Sequence, residues 1–512
     1  MGALRIISRN IASNTIGYLV GVVVALLLTP FVLDRLGESG FGIWSLVVAM
    51  TGYYGILDLG IRSAVGQYAT RYWETGDIAG VSRTISTAVA LTLPITGVLV
   101  LASIGLAYWA PVLFHVAPEE AGATSVAMLV MGSSVALSFP IAVFGTATYA
   151  RQRFDIANLL AIGERLANAG LSVWVLLADQ GLAGVAWVTA GTQLAAGIVR
   201  VVSAFWLLPG LQVGRSMVCR ASVRELCSFG FHNFLINVAD RVVLYTDTLV
   251  IGVMIDSKAV SYYTVGGNFI GYYIMLINSV AWPLTPYATS RDAAGDHEAL
   301  RRLYLFGSKN IFLFAAVIGG GLIFLGHDFL AVWLHEHPEL LSGAVYTSAA
   351  TVMAVLAAAT LVRGLMTCGK QILFGMREVR FLSRLSMLEA IANLGLSITL
   401  AYPLGLLGVA LGTLIPIVCT QLVLQPRFLA KRLSLSLGDF MVRATRGGLV
   451  VVAVMGLVAY LAQDWLVVDG WGSLCLKGVV LTLPAVIVGG ILGTTREEKQ
   501  LLLKKLNLHR GG

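Results

Sequence analysis

The stretch GYYGILDLGIRSAVGQYATRYWETGDIAGVSR, Gly52 to Arg83, decides how this chain is read. It starts inside an apolar segment, carries Asp58 and Arg62 into it, and leaves through a basic loop. A shift of 219 residues returns the same skeleton without a gap. Gly52-Tyr53-Tyr54 meets Gly271-Tyr272-Tyr273, Tyr68-Ala69-Thr70 meets Tyr287-Ala288-Thr289, Gly76-Asp77 meets Gly295-Asp296, and Arg83 meets Arg302. From Gly37 to Arg83, ten of 47 positions are identical at that shift. Apolar composition raises chance matching, but not as consecutive triplets on both sides of a span. The copies differ at Asp58 and Arg62, which face Ile277 and Ala281.

The repeat runs on beyond this stretch. Glu164-x-x-Ala167-Asn168-x-Gly170-Leu171-Ser172 returns as Glu389-x-x-Ala392-Asn393-x-Gly395-Leu396-Ser397. The turn Gly181-Leu-x-Gly-Val-Ala186 returns as Gly405-Leu-x-Gly-Val-Ala410. Composition fixes the solvent: 57% hydrophobic and 12% charged residues, with mean hydropathy +0.83, against about a quarter charged in soluble domains. So much apolar surface needs lipid. A span takes roughly 20 apolar residues, and on that rule fourteen helices are expected, near 12–33, 41–61, 84–109, 123–147, 157–178, 182–207, 229–254, 260–285, 310–332, 344–366, 385–402, 405–425, 447–465 and 473–493. Six spans copied in sequence run in the same direction, which implies an axis along the membrane normal. The expected fold is all-α: an N-lobe over 1–207, a cytoplasmic linker over 208–228, a C-lobe over 229–425, an amphipathic cytoplasmic segment over 426–446, helices thirteen and fourteen within 447–493, and a cytoplasmic tail over 494–512.

The net charge of +8 is membrane orientation rather than nucleic-acid binding, because the basic residues sit in short loops. With both termini cytoplasmic, 28 of 35 Lys and Arg fall on the inner side, three lie outside (Arg35, Lys258, Lys477) and four within spans (Arg165, Arg200, Arg241, Arg363). The first run, Ile11 to Leu33, is too long for a signal h-region and is expected to stay as span one. Three inner segments read as amphipathic: Arg71 to Arg83, Gln425 to Arg446, and Arg496 to Arg510. The last suits an anionic leaflet, with a solvated tail as the plainer reading. Cys219, Cys227, Cys368, Cys419 and Cys475 have neither disulfide nor zinc spacing. His327, His335 and His337 lack an HExxH context, and no dinucleotide fingerprint or P-loop is present, so no cofactor or metal is expected.

Leu36-Gly37-x-x-x-Phe41-Gly42-Ile43-Trp44 resembles the LG…YGIW pattern of the polysaccharide-transporter (Wzx-like) oligosaccharide flippases. Leu57-Asp58-Leu59-Gly60 is similar to that family's second-span signature, and Thr246-Asp247-Thr248-Leu249-Val250-Ile251-Gly252 to its seventh-span iDkiiiG, with Thr248 where the family commonly has Lys or Arg. The resemblance covers the first twelve spans and implies the multidrug/oligosaccharidyl-lipid/polysaccharide (MOP, MATE-like) superfamily. Members flip undecaprenyl-pyrophosphate-linked oligosaccharide across the bacterial inner membrane for O-antigen lipopolysaccharide, capsule or exopolysaccharide synthesis, alongside polysaccharide polymerase machinery. A MATE-type antiporter for cationic drugs is the alternative within the fold. An O-antigen polymerase or ligase is a different class, and would carry a large periplasmic loop that this chain lacks.

Ionisable groups inside spans are the candidate site, since each costs about 2.5–3.5 kcal/mol on insertion scales. Asp58 and Arg62, four apart, share a helical face, read either as a cavity pair or as a salt bridge fixing the inner end of span two. Asp240 and Asp247 share a face at i, i+7, with Arg241 beside them. A pyrophosphate needs several converging cations, and Arg62, Arg165, Arg241 and Arg363 are the available set. Arg363 and Arg200 also read as residues that snorkel, and Glu164 and Glu389 as structural repeat partners. Tyr53, Tyr54, Tyr272 and Tyr273 are candidate sugar-stacking rings. A proton or Na⁺ gradient can bias such a cycle, with Asp58, Asp240 and Asp247 as candidate carriers.

Overall fold

The computed structural model describes residues 2–58, 60–151, 153–228 and 231–493. The expected amphipathic tail helix at Arg496 to Arg510 lies outside the described residues. The described chain is helical, with no strand among the described residues: α1 (Gly2–Tyr53), a 3₁₀ turn (Tyr54–Asp58), α2 (Ile61–Glu74), α3 (Ile78–Leu113), α4 (Pro118–Phe144), α5 (Thr146–Ala150), α6 (Phe154–Leu177), α7 (Gly181–Leu207), α8 (Arg220–Ser228), α9 (Phe231–Met254), α10 (Ser257–Ala281), α11 (Leu284–Ala293), α12 (His297–Phe324), α13 (Gly326–Trp333), α14 (Glu339–Ser342), α15 (Ala349–Gly375), α16 (Val379–Cys419), a π-turn (Thr420–Leu424), α17 (Gln425–Arg432), α18 (Leu437–Ala462) and α19 (Trp471–Gly493). Among the described residues, ten helical runs are long and apolar enough to cross a membrane. In two of them the helix is broken by one glycine: Gly37 (φ 68°, ψ 175°) in α1 and Gly405 (φ 55°, ψ −134°) in α16. Those backbone angles exclude a Cβ, so each break needs glycine.

Contacts divide the chain into two compact units, Met1–Ser261 and Tyr262–Gly512. The first takes in α9, which the sequence repeat assigns to the second copy. Within it, α3 lies along α4, α4 along α7, and α1 along both α6 and α9. One end of it is closed by Ile61, Ala64 and Val65 of α2 against Val81 and Ile85 of α3. The segment after α7 is stitched to α3 side chains, with Gln212 N–H donating to Ser82 (3.0 Å) and Cys219 N–H to Thr87 (3.3 Å).

In the second unit α12 lies between α15 and α18, and α18 pairs with α19. Small residues set this packing: a Cβ on Gly448 would strike the Phe312 ring at 2.3 Å, and one on Gly320 the Met455 sulfur at 2.7 Å. Tyr304 and Phe440 stack at 4.0 Å, and Lys477 of α19 reaches Asp328 of α13 at 2.7 Å.

Repeat-related residues build the same local geometry in each unit. Asp77 and Asp296 follow left-handed glycines (Gly76, φ 75°; Gly295, φ 67°) and cap α3 and α12 by accepting from Gly80 and Ala299 N–H at 2.7 and 2.9 Å. Asn168 donates to Thr189 at 3.1 Å and Asn393 to Thr413 at 2.8 Å, four residues that the repeat aligns in pairs.

Candidate functional site

The opening stretch does not continue as one helix. α1 stops at Tyr53, a 3₁₀ turn carries Tyr54 to Asp58, Gly60 takes φ 76°, and α2 begins at Ile61. A 3₁₀ stretch between two helices is a recurrent hinge geometry. Asp58 and Arg62 therefore do not share one helical face as their spacing predicts. They still meet across the break, with Arg62 Nε 2.9 Å from Asp58 Oδ1 and the arginine side chain 47% exposed.

The turn is overlaid by α9. Gly52 and Gly55 make room for it: a Cβ on Gly52 would stand 2.3 Å from the Tyr245 ring, and one on Gly55 3.1 Å from the Arg241 guanidinium. Arg241 Nη1 donates to Tyr245 Oη at 3.3 Å and its guanidinium lies 5.9 Å from the Tyr245 ring centre. Tyr53 completes the cluster, its ring 5.8 Å from that of Tyr245 and its hydroxyl 2.6 Å from Thr246 Oγ1. Among the described residues no carboxylate lies within ion-pair distance of Arg241, neighbouring Asp240 included. Asp240 and Asp247, aligned by spacing, sit in unlike surroundings: Asp240 is exposed and Asp247 buried. The reason is that α1 covers the C-terminal half of α9, as Leu46 against Gly252 and Gly52 against Tyr245 show.

Arg165 of α6 is held differently. Its Nη1 donates to the Gly17 carbonyl at 2.8 Å, and the guanidinium lies over Gly21. At 1.5 Å per residue, Gly17 to Gly21 and Gly52 to Gly55 both lie roughly 22–30 Å along their arms from the Gly37 bend. Arg165 and Arg241 thus meet the two arms of α1 at similar distances from that bend.

The other arginines are paired. Arg200 binds Glu164, and Arg363 binds Glu389, so the snorkelling expected of both is replaced by ion pairs between neighbouring helices. Glu389 is nearly fully buried and also accepts from Thr420 (2.7 Å) and Gln421 (3.1 Å) of the π-turn. Two of the four candidate rings are core residues. Tyr54 bonds Ser103 at 2.8 Å, and Tyr273, 1% exposed, donates to the Ala315 carbonyl at 2.6 Å. Neither offers a ring face for stacking, whereas Tyr53 and Tyr272 are half-buried. Tyr245 was missed by the sequence reading; its place one helical turn after Arg241 is the spacing at which a ring meets a cation.

Residues 7–290 match the family model described as "Polysaccharide biosynthesis protein". The chain is 23% identical over 512 residues to "Uncharacterized membrane protein EpsK" of Bacillus subtilis, covering 98% of each chain. It is 23% identical over 393 residues to "Probable flippase AglR" of Haloferax volcanii, covering 77% of each. Among solved structures it is similar to "Lipid II flippase MurJ, inward closed conformation" (TM-score 0.66, 13% identity, 94% of this chain and 98% of that one). It is also similar to an inward-facing multidrug resistance MATE family transporter of the MOP superfamily (TM-score 0.63, 14% identity, 81% and 96%). The backbone fold is thus similar to that of these two proteins.

Proposed function

We propose that this chain, which belongs to the polysaccharide biosynthesis protein family, flips undecaprenyl-pyrophosphate-linked oligosaccharide from the inner to the outer leaflet of the bacterial inner membrane by alternating access. The product feeds O-antigen, capsule or exopolysaccharide synthesis. The proposal keeps fourteen spans with both termini inside. Two of the ten long apolar runs are bent pairs, at Gly37 and Gly405, while α9 and α10 are helices of spanning length outside the ten. α9 carries Asp240, Arg241 and Asp247. The two six-span lobes of the proposal, 1–207 and 229–425, are the two copies of the sequence repeat.

The observation that carries the reading is Arg241. An arginine in a span without a carboxylate partner among the described residues is unfavourable by about 2.5–3.5 kcal/mol unless something anionic meets it. A phosphate does so well, because the planar fork donates two parallel hydrogen bonds and stays charged when partly desolvated. Arg62, half-exposed and held by Asp58, is the second cation, released to the incoming anion; Arg165, resting on the Gly17 carbonyl, is the third. Arg363, engaged by Glu389, is the weakest of the four candidates. Tyr53 and Tyr272 are the rings proposed for sugar contact, and Asp58, Asp240 and Asp247 the carriers for a coupling proton or Na⁺.

The test is conservative exchange in a strain lacking this chain. Arg241→Lys and Arg62→Lys keep the charge but lose the fork, so polysaccharide is lost and the lipid-linked intermediate accumulates while protein level holds. Full restoration by both variants defeats the proposal. The MATE-like backbone supports one second reading, an antiporter for cationic drugs. An uncompensated arginine repels such cargo, and drug-resistance assays on the same strains separate the two.

A further inference from the structure

The repeat shift of 219 relates Glu38 to Ser257 and Gly42 to Ser261. In the first unit these four residues touch one another, and they do so in reciprocal fashion. A Cβ on Gly42 would stand 1.7 Å from the Ser257 carbonyl oxygen. Ser261 Oγ donates to the Glu38 carbonyl at 2.5 Å. Position 42 thus meets 257, and the residue equivalent to 42 meets the residue equivalent to 257. That is the signature of a contact across a two-fold axis, where i touches j and j touches i. Each side is the first turn of a helix: the second arm of α1 after the Gly37 bend, and α10 after its cap Asp256, which accepts from Ala259 N–H at 2.7 Å.

The junction is tight. Phe41, Ser257 and Ser261 are buried, and Ser39 Oγ lies 3.3 Å from Ser257 Oγ while donating to Glu120 of α4 at 2.5 Å. Two helix N-termini face each other here, each with partial positive charge, and Glu120 supplies an acidic group beside them. The backbone approach is possible only because position 42 has no side chain.

We propose that these two repeat-related turns form a latch, closed in this structure, that must separate whenever the outer side opens, and that Gly42 is the residue that permits closure. The proposal rests on the transporter reading and on the outer placement of both turns. It assigns Gly42 a role in setting the balance between states rather than in holding cargo.

Cross-linking in native membranes tests it without reference to cargo. Side chains 3.3 Å apart at their Oγ atoms are within reach of a disulfide after small adjustment. The Ser39→Cys/Ser257→Cys protein, kept full length with its native cysteines, is oxidised, and the linked peptide is quantified by mass spectrometry. Efficient linking is expected. Adding Gly42→Val lowers the yield about tenfold or more, because the side chain overlaps backbone that cannot yield. The same change raises labelling of a lone Ser257→Cys by membrane-impermeant maleimide by a similar factor. Gly42→Ala gives a graded effect in the same direction, and serves if the valine variant does not accumulate. Unchanged cross-link yield and labelling in Gly42→Ala overturn the latch. So does an oxidised pair that restores polysaccharide as well as the reduced one in a strain where Arg241→Lys does not. If accessibility responds as stated but no variant affects polysaccharide, the latch stands and the cargo assignment falls.

Discussion

Removing Arg363 should lower stability and removing Arg241 should not. Glu389 is 6% exposed and holds three donors: Arg363, Thr420 and Gln421. In Arg363→Leu the carboxylate keeps two neutral donors and loses its only described ion-pair partner. Breaking a buried pair on one side costs about 3–5 kcal/mol, whereas replacing both members by apolar groups is often neutral. Arg363→Leu is therefore expected to lower the folded-to-unfolded ratio by a factor of about 10²–10³ or more, and Arg363→Leu/Glu389→Leu to recover most of it. Arg241→Leu removes a charge with no carboxylate opposite it among the described residues, gives up one 3.3 Å bond to Tyr245, and should leave stability unchanged or raised while abolishing transport. The assay is thermal unfolding of purified protein in one detergent, followed by monodisperse fraction after heating. The reasoning is refuted if the single Arg363 variant is as stable as the double, or if Arg241→Leu is the least stable of the three.

Gly55→Ala alters no charge, yet its Cβ stands 3.1 Å from the Arg241 guanidinium; it should reduce polysaccharide export in the manner of Arg241→Lys at normal protein level, read in the same complementation assay. Gly405→Ala places a side chain at φ 55°, ψ −134° and should cost about 1–3 kcal/mol, seen as a lowered unfolding temperature, whereas Gly395→Ala, with open space around it, should not. Hydrogen bonds from Ser222 hold the Cys219 thiol below its ordinary pKa, so more thiolate is present at neutral pH. Maleimide should modify Cys219 faster in inside-out vesicles than in intact cells, and Ser222→Ala should slow the reaction, moving its half-maximal pH upward.

Membrane class was legible because lipid imposes long apolar runs, and the repeat was legible because identical residues cap identical turns, as at Asp77 and Asp296. What the sequence hid was tertiary. Nothing in the spacing of Arg200 and Arg363 says that each reaches a glutamate 36 or 26 residues away, on a neighbouring helix. The 3₁₀ turn at Tyr54–Asp58 was hidden too, since Gly52, Gly55 and Gly60 fit a continuous span as well as an interrupted one. The reason for Gly52 and Gly55 becomes visible only with α9 lying across them. Equal sequence signals also met unequal fates: Tyr53 and Tyr54 are neighbours, but one turns to α9 and the other into the core with Ser103.

The glutamate pairs also carry a history. Glu164 and Glu389 are the same residue of an ancestral half, inherited twice. Their arginines are not. Arg200 comes from the helix that follows Glu164, Arg363 from the helix that precedes Glu389, and the repeat places Gln425 or Leu424 opposite Arg200 and Ser138 or Phe144 opposite Arg363. By parsimony the acid is older than the duplication and each base was recruited later and separately. The ion pair at this position thus arose twice, once from the helix after the acid and once from the helix before it.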